Sequence, residues 1–163
     1  MDGKLRSMTS VYLTGEQGIL CLYRIGSRVV SDKYIGSAGG HFEPYELNDA
    51  RACILRELQE ELGLSEADVP DLKLRYITLR SMEGEIRQNY YFFASLKENR
   101  DLNSTEGQLR WIKEEEFQTL KMPVSAKHMI LHYLKEGRNT DYLYAGITEE
   151  NGTKFIPLIE FEG

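Results

Sequence analysis

The sequence predicts an α/β fold in which a mixed β-sheet carries helices on both faces. Apolar patterns follow one another in the order strands, helix, strands, helix, strands, which does not fit the regular alternation of a parallel sheet. The chain has 163 residues, which suffices for one well-buried core and is short for two domains. We therefore expect a single domain over residues 1–163.

The N-terminal quarter is predicted to contain two strands and a long loop. Residues 1–7 are polar and are expected to be a disordered lead. Apolar runs within 9–25 predict two strands, and the glycines of 15–18 predict the turn between them. The glycine-rich stretch 26–45 is predicted to be irregular, with one short strand around Tyr34.

One helix is predicted between two strong boundary signals. Asp49 is a good N-cap, and Gly63 is a good C-terminal stop. Between them, apolar residues recur at helical spacing at Ala50, Ile54, Leu58 and Leu62.

The rest of the chain is predicted to add strands, a short helix and a second long helix. Strands are expected at 72–80, 87–96, 109–112, 142–148 and 154–161, and helices at 114–120 and 123–136. Turn signals at 82–85 and at Asn151-Gly152 predict two hairpins. The C-terminal hairpin, 142–161, could either complete the sheet or cover a partner.

Composition limits the partners. The net charge is −6, so no overall basic character indicates nucleic acid, and no apolar run is long enough to span a membrane. The two cysteines lie in apolar stretches and are expected to be reduced and buried. A cytoplasmic protein is the expectation. An acidic protein that binds a polyanion needs a local positive charge, and a bound metal ion is the usual source of it.

Three glutamates on the first helix are the sharpest chemical signal. Glu57, Glu60 and Glu61 are three and four residues apart, so they share one helical face and repel one another. They also lie near the negative end of the helix dipole. A divalent cation with oxygen ligands would remove this conflict. A solvated acidic face is the alternative, but the glycine-rich loop before the helix favours a site.

These residues, together with the loop, resemble a known motif. Residues 40–46 (GHFEPYE) and 56–64 (RELQEELGL) are similar to the Nudix box of the MutT/Nudix hydrolases. The one departure in length is the spacer 47–55, which has nine residues where the family has seven. Because Asp49 keeps its distance from the helical motif, the additional residues fall in the loop. The helical carboxylates are unaffected, and the position of Glu46 is left open.

The resemblance implies a Nudix-type α/β/α sandwich and a metal site. Glu57, Glu60 and Glu61 would bind Mg²⁺, with Mn²⁺ as an alternative, and the Gly39 carbonyl would be a further ligand. Arg56 would belong to the catalytic residues by orienting the carboxylates.

Further roles are implied less directly. The general base would be Glu57 or the later Glu106, which the resemblance also brings towards the metal. Substrate-binding residues would be Gly40, which lets the loop approach closely, and Arg24 and Arg28, which flank the glycine-rich stretch.

The expected function is metal-dependent hydrolysis of a phosphoanhydride bond in a nucleoside diphosphate linked to a further group. The marks of the ADP-ribose, coenzyme A and NADH subgroups are missing, which favours a (deoxy)nucleoside triphosphate cleaved to the monophosphate and pyrophosphate. The alternative is a Nudix-fold module that senses a nucleotide without hydrolysing it. The expected partner is thus a nucleotide, and the oligomeric state is left open, a homodimer being one alternative.

Overall fold

A computed structural model describes residues 3–24 and 32–160, and they form a mixed sheet between two helices. The strands are β1 (Leu5–Gly15), β2 (Gly18–Arg24), β3 (Lys33–Gly36), β4 (Ala38–His41), β5 (Lys73–Met82), β6 (Glu85–Ser95), β7 (Gly107–Ile112), β8 (Leu143–Glu149) and β9 (Gly152–Leu158). The helices are α1 (Ala50–Leu62) and α2 (Val124–Lys135). Short 3-10 helices span Pro44–Glu46, Glu66–Asp68, Glu114–Gln118 and Gly137–Asn139.

The sheet order is β3-β2-β1-β6-β5-β8-β9, with β4 also pairing with β1 and β7 with β2. The pairs β1/β6 and β5/β8 are parallel, and the others are antiparallel. The predicted α/β fold with a mixed sheet is therefore confirmed. The C-terminal hairpin completes the sheet, because β8 pairs with β5 and β9 forms the edge.

Each face of the sheet has its own apolar core. α1 contributes Ile54, Leu58 and Leu62 to a core with side chains of β1 and β6 such as Val11 and Phe92. On the opposite face, α2 packs against the sheet and forms a second core with it. This core contains Tyr12, Tyr76, Phe93, Met129 and Ile130. Both faces of the sheet are therefore covered by a helix, as expected of an α/β fold.

The boundaries of α1 are those predicted. The Asp49 carboxylate accepts a hydrogen bond from the backbone N–H of Ala52 at 3.0 Å. Gly63 takes the left-handed conformation with φ of 66°, and its N–H bonds to the Gln59 carbonyl at 3.1 Å. The motif helix therefore begins and ends through its own local sequence.

Three expectations for the other elements need correction. Residues 5–7 are not a disordered lead, since β1 begins at Leu5 and pairs there with Ile86 of β6. Residues 38–41 form a strand, because backbone pairing with β1 orders a segment whose glycines give no alternating apolar pattern. The short helix predicted at 114–120 is a 3-10 helix over Glu114–Gln118. In the part of the chain the structure describes, no helix is long and apolar enough to cross a membrane.

Candidate metal and substrate site

Arg56 lies at the centre of a carboxylate cluster. Its Nε and Nη2 donate to the two oxygens of Glu46 at 2.8 and 2.9 Å, a bidentate pair. Its Nη1 donates to Glu57 at 3.0 Å and to Glu60 at 3.1 Å, and Nη2 also donates to the His41 carbonyl at 3.1 Å. Arg56 therefore fixes the helix and the preceding loop relative to each other.

Glu46 is the buried anchor of this cluster. Its side chain is 1% exposed, and it also accepts the backbone N–H of Glu43 at 2.9 Å. The Arg56 guanidinium holds the pKa of the Glu46 carboxyl below its usual range, in spite of burial. The longer loop has therefore not displaced Glu46 from the motif helix. A displaced Glu46 would have favoured the alternative of a module that binds a nucleotide without hydrolysing it.

Glu57 and Glu61 form a pair of carboxyl groups beside β4. Glu57 is buried, and desolvation raises its pKa while Arg56 opposes that rise. Burial and the neighbouring Glu57 charge raise the pKa of Glu61 to about 8, although the Gly39 N–H, 3.3 Å from its Oε2, acts in the other direction. Two carboxylates held together in this way retain a proton unless a cation neutralises them.

The donor set fits a hard divalent cation. Carboxylate oxygens are the ligands Mg²⁺ prefers, and Glu57 and Glu61 supply adjacent ones. Glu60 is directed to Arg56 and is 58% exposed, so it must turn to join them. Accordingly, among the described residues, no three His, Cys, Asp or Glu side chains already converge as metal ligands would.

The two glycines of β4 hold this pair close to the sheet. A Cβ at Gly40 would lie 2.3 Å from Oε1 of Glu57, and one at Gly39 would lie 2.2 Å from the Thr9 carbonyl. Gly39 contributes its N–H to Glu61, while the predicted role of its carbonyl as a ligand stays a prediction. The motif glycines are needed because backbone and carboxylate approach too closely for any side chain.

A side chain at Gly40 should disturb the carboxylate pair directly. We expect Gly40→Ala to lower kcat/KM about 10- to 100-fold, because the new methyl group must displace the Glu57 carboxylate by about 1 Å. Steady-state kinetics and thermal unfolding measure the effect. Gly63→Ala is the control, since Gly63 faces open space at positive φ and should cost stability alone. Equal activity of the two variants would contradict the prediction.

A second prediction concerns pH in metal-free protein. Because the folded state raises the pKa of Glu61 to about 8, the stability gained from holding that proton is fully present below pH ~4.5 and is lost as the pH rises through about 8. We expect the unfolding free energy of the wild type, relative to Glu61→Gln, to fall by about 1–3 kcal/mol from pH 5 to 8.5, allowing for solvent screening. Chemical denaturation at both pH values measures this difference, and a constant difference would refute it.

The carboxylates border a cleft of about 540 Å³ on the α2 side of the sheet. The predicted residues Gly39, Gly40, Arg24 and Glu106 also line it, so the structure brings them together with the motif helix. The Arg24 guanidinium binds the Glu106 carboxylate at 3.4 Å, so neither side chain is unpaired. Arg28, the other predicted substrate-binding residue, lies outside the described residues.

Several cleft residues were missed by sequence reasoning. Arg6, Arg80, Arg87 and Asn89 line the cleft on neighbouring strands. No local sequence pattern marks these residues. Only the register between the strands places them on one face of the sheet, opposite to the α1 core.

The fold and this arginine-held carboxylate cluster define the class of the Nudix hydrolases. A family model described as NUDIX domain matches residues 4–133, and the chain therefore belongs to the Nudix family. The chain is an enzyme of that class. A search among curated proteins gave no match.

Solved structures share this fold at low sequence identity. A mutator MutT protein from Bacillus halodurans is 21% identical with a TM-score of 0.68, over 92% of this chain and 97% of that one. The dihydroneopterin triphosphate pyrophosphohydrolase of E. coli is 17% identical with a TM-score of 0.61, over 83% and 96%. The NUDIX domain of Shewanella oneidensis NrtR, solved with ADP ribose, is 12% identical with a TM-score of 0.61, over 86% and 90%.

Proposed function

We propose that this Nudix hydrolase cleaves the phosphoanhydride bond of a nucleoside diphosphate linked to a further group, with Mg²⁺ or alternatively Mn²⁺ as cofactor. The observation that carries the proposal is the Glu57–Glu61 pair, which Arg56 and the Gly39 N–H hold at the border of the cleft and which retains a proton unless a cation takes its place. Such a pair is costly without a cation, and it supplies the oxygen ligands a cation needs.

Each residue of the site has a distinct task in this proposal. Glu57, Glu61 and, after turning from Arg56, Glu60 hold the cation. When bound, it would neutralise phosphate charge and make a bound water more acidic. Arg56 joins the helical carboxylates to the loop and orients them through its contacts to Glu46, Glu57 and Glu60.

The general base is assigned to Glu106. Glu57 accepts a hydrogen bond from Arg56 at 3.0 Å, and its carboxylate packs against Gly40. A carboxylate held in place in this way is suited to be a metal ligand. Glu106 lies immediately before β7 and is partly exposed in the cleft, and its charge contributes to the raised pKa of Glu61. Arg24 orients its carboxylate, so Glu106 can take a proton from a water between itself and the substrate phosphate.

The proposed substrate class is a (deoxy)nucleoside triphosphate, released as the monophosphate and pyrophosphate. A cleft of about 540 Å³ has the size of a nucleotide site, and Tyr12, Leu22, Ile35 and Tyr91 give it apolar and aromatic walls suited to a base. The protein of similar fold from E. coli is named for a triphosphate substrate, which agrees with this class.

A substrate panel tests the proposal. Nucleoside triphosphates, ADP-ribose and dinucleoside polyphosphates are incubated with the protein, with and without Mg²⁺, and products are separated by ion-exchange chromatography. We expect metal-dependent turnover that yields a nucleoside monophosphate and pyrophosphate from triphosphates. If no compound turns over with either Mg²⁺ or Mn²⁺, the hydrolase proposal fails, and specific nucleotide binding would then favour the sensing module.

A further inference from the structure

Three arginines form a row across neighbouring strands in the same cleft. Arg6 on β1 is the register partner of Arg87 on β6, and Arg87 is the register partner of Arg80 on β5. Directly paired residues project from the same face of a sheet, and all three side chains line the cleft. Register places these like charges side by side, although they are far apart in sequence.

Such a row is unfavourable unless something neutralises it. Glu85 contacts Arg87 at 3.1 Å and Arg6 at 3.6 Å, and Glu83, which is largely exposed, reaches Arg87 at 3.4 Å. Arg80 forms no ion pair within 4 Å in the part of the chain described, residues 3–24 and 32–160. One shared carboxylate and one exposed carboxylate therefore leave excess positive charge directed into the cleft.

The start of α2 adds to this positive field. Residues 124–126, its first turn, line the cleft beside the arginines, and Pro123 provides no side-chain cap for the N–H groups of that turn. Burial lowers the pKa of His128 on α2, and the charge of Arg80 lies close enough to lower it further. A helix N-terminus and an arginine row that face one cleft favour a bound anion.

The row is separated from the carboxylate pair. Gly40, which lies against Glu57, is the register partner of Thr9 on β1. Arg6 is three residues before Thr9, which corresponds to about 10 Å along the strand. The Arg6 side chain reaches back towards the carboxylates, with its guanidinium 3.3 Å from the His41 ring, but Arg80 lies two strands beyond β1, about 10 Å further across the sheet. A phosphate at Arg80 is therefore separated from a diphosphate at the carboxylates by a spacer. Asn89 and Tyr91, further along β6 from Arg87, line the path between the two ends.

From this geometry we infer that the substrate carries a further phosphate, separated from the cleaved diphosphate by a spacer of about the size of a sugar, and that Arg6, Arg80 and Arg87 bind it. The inference rests on the proposed hydrolysis and refines its substrate class. A nucleotide whose sugar carries an additional phosphate, apart from the phosphates of the cleaved chain, is therefore favoured over a nucleoside triphosphate without one. Arginine suits this role because its planar guanidinium binds phosphate with two parallel hydrogen bonds.

Metal-free binding tests this phosphate site apart from catalysis. Isothermal titration in EDTA compares adenosine 3′,5′-bisphosphate with adenosine 5′-monophosphate, a pair that differs by one phosphate. We expect the wild type to bind the bisphosphate at least about 10-fold more tightly, the size of effect expected of a charge-assisted contact. Arg80→Gln should reduce this preference below about 3-fold, and Arg80→Lys should retain part of it.

Arg138→Gln is the matched control, because Arg138 pairs with Glu114 away from the cleft and its loss should leave the preference unchanged. Far-ultraviolet circular dichroism and thermal unfolding verify that each variant is folded. If the wild type binds both compounds equally or does not saturate with the bisphosphate, the inference is overturned. It is also overturned if Arg80→Gln keeps the full preference.

Turnover then separates this inference from the proposed function. A nucleoside triphosphate with a 3′-phosphate should be hydrolysed with a lower KM than its parent compound, and Arg80→Gln should raise that KM selectively. Equal KM values in an active enzyme would overturn the inference and leave the hydrolase proposal standing. No turnover of any compound, with the bisphosphate preference intact, would overturn the hydrolase proposal and leave the anion site standing.

Discussion

Replacing the paired carboxylates by amides is expected to have the largest effect on activity. Glu57→Gln and Glu61→Gln should each lower metal-dependent kcat by about 100- to 10 000-fold, because each removes a charged ligand and the charge balance that holds a cation. Glu60→Gln should follow them if Glu60 turns from Arg56 to the cation, as proposed. Initial rates over a range of Mg²⁺ concentrations measure these effects.

Two comparisons make this series informative. Glu66→Gln is the control, since Glu66 pairs with Arg51 on the surface and should keep wild-type rates. Glu106→Gln should lower kcat with little change in the Mg²⁺ concentration for half-maximal activity, as expected of a base rather than a ligand. Wild-type rates in Glu57→Gln and Glu61→Gln would refute the site assignment. A shifted Mg²⁺ requirement in Glu106→Gln would reassign that residue to the cation.

Breaking the Glu46–Arg56 pair is expected to have the largest effect on stability. Glu46→Ala should lower the free energy of unfolding by about 2–4 kcal/mol, because Arg56 is largely buried and loses both bonds of its bidentate partner. The remaining contacts of Arg56 to Glu57, Glu60 and the His41 carbonyl keep the loss below that of an isolated buried charge. Urea denaturation monitored by the fluorescence of Trp111 measures the change.

The chain offers an exposed pair for comparison. Arg51 and Glu66 are 3.0 Å apart but are 43% and 63% exposed, so Glu66→Ala should cost less than about 1 kcal/mol. Activity should also fall in Glu46→Ala, because Arg56 would no longer be fixed to the loop. If both alanine variants lose less than about 1 kcal/mol, Glu46 is not the anchor described above.

Strand register explains most of what the sequence did not predict. The hairpins and α1 follow from neighbouring residues: turn glycines, an N-cap, a left-handed stop and apolar spacing of three and four residues. By contrast, β4 has too few apolar side chains to predict a strand, and it is ordered only by pairing with β1. The same pairing brings Gly39 and Gly40 to the α1 carboxylates, although 17 to 22 positions separate them in the numbering.

By itself, the sequence determined that Glu57, Glu60 and Glu61 share one helical face, and on this the predicted metal site depends. They share this face because residues three and four apart are neighbours on any α-helix, whatever surrounds it. Only the tertiary structure decided that Glu46 holds Arg56 in spite of the longer loop, and that Arg6, Arg87 and Arg80 meet in one row. The path of a loop and the register between strands depend on contacts between distant segments, so no local pattern in the sequence predicts them.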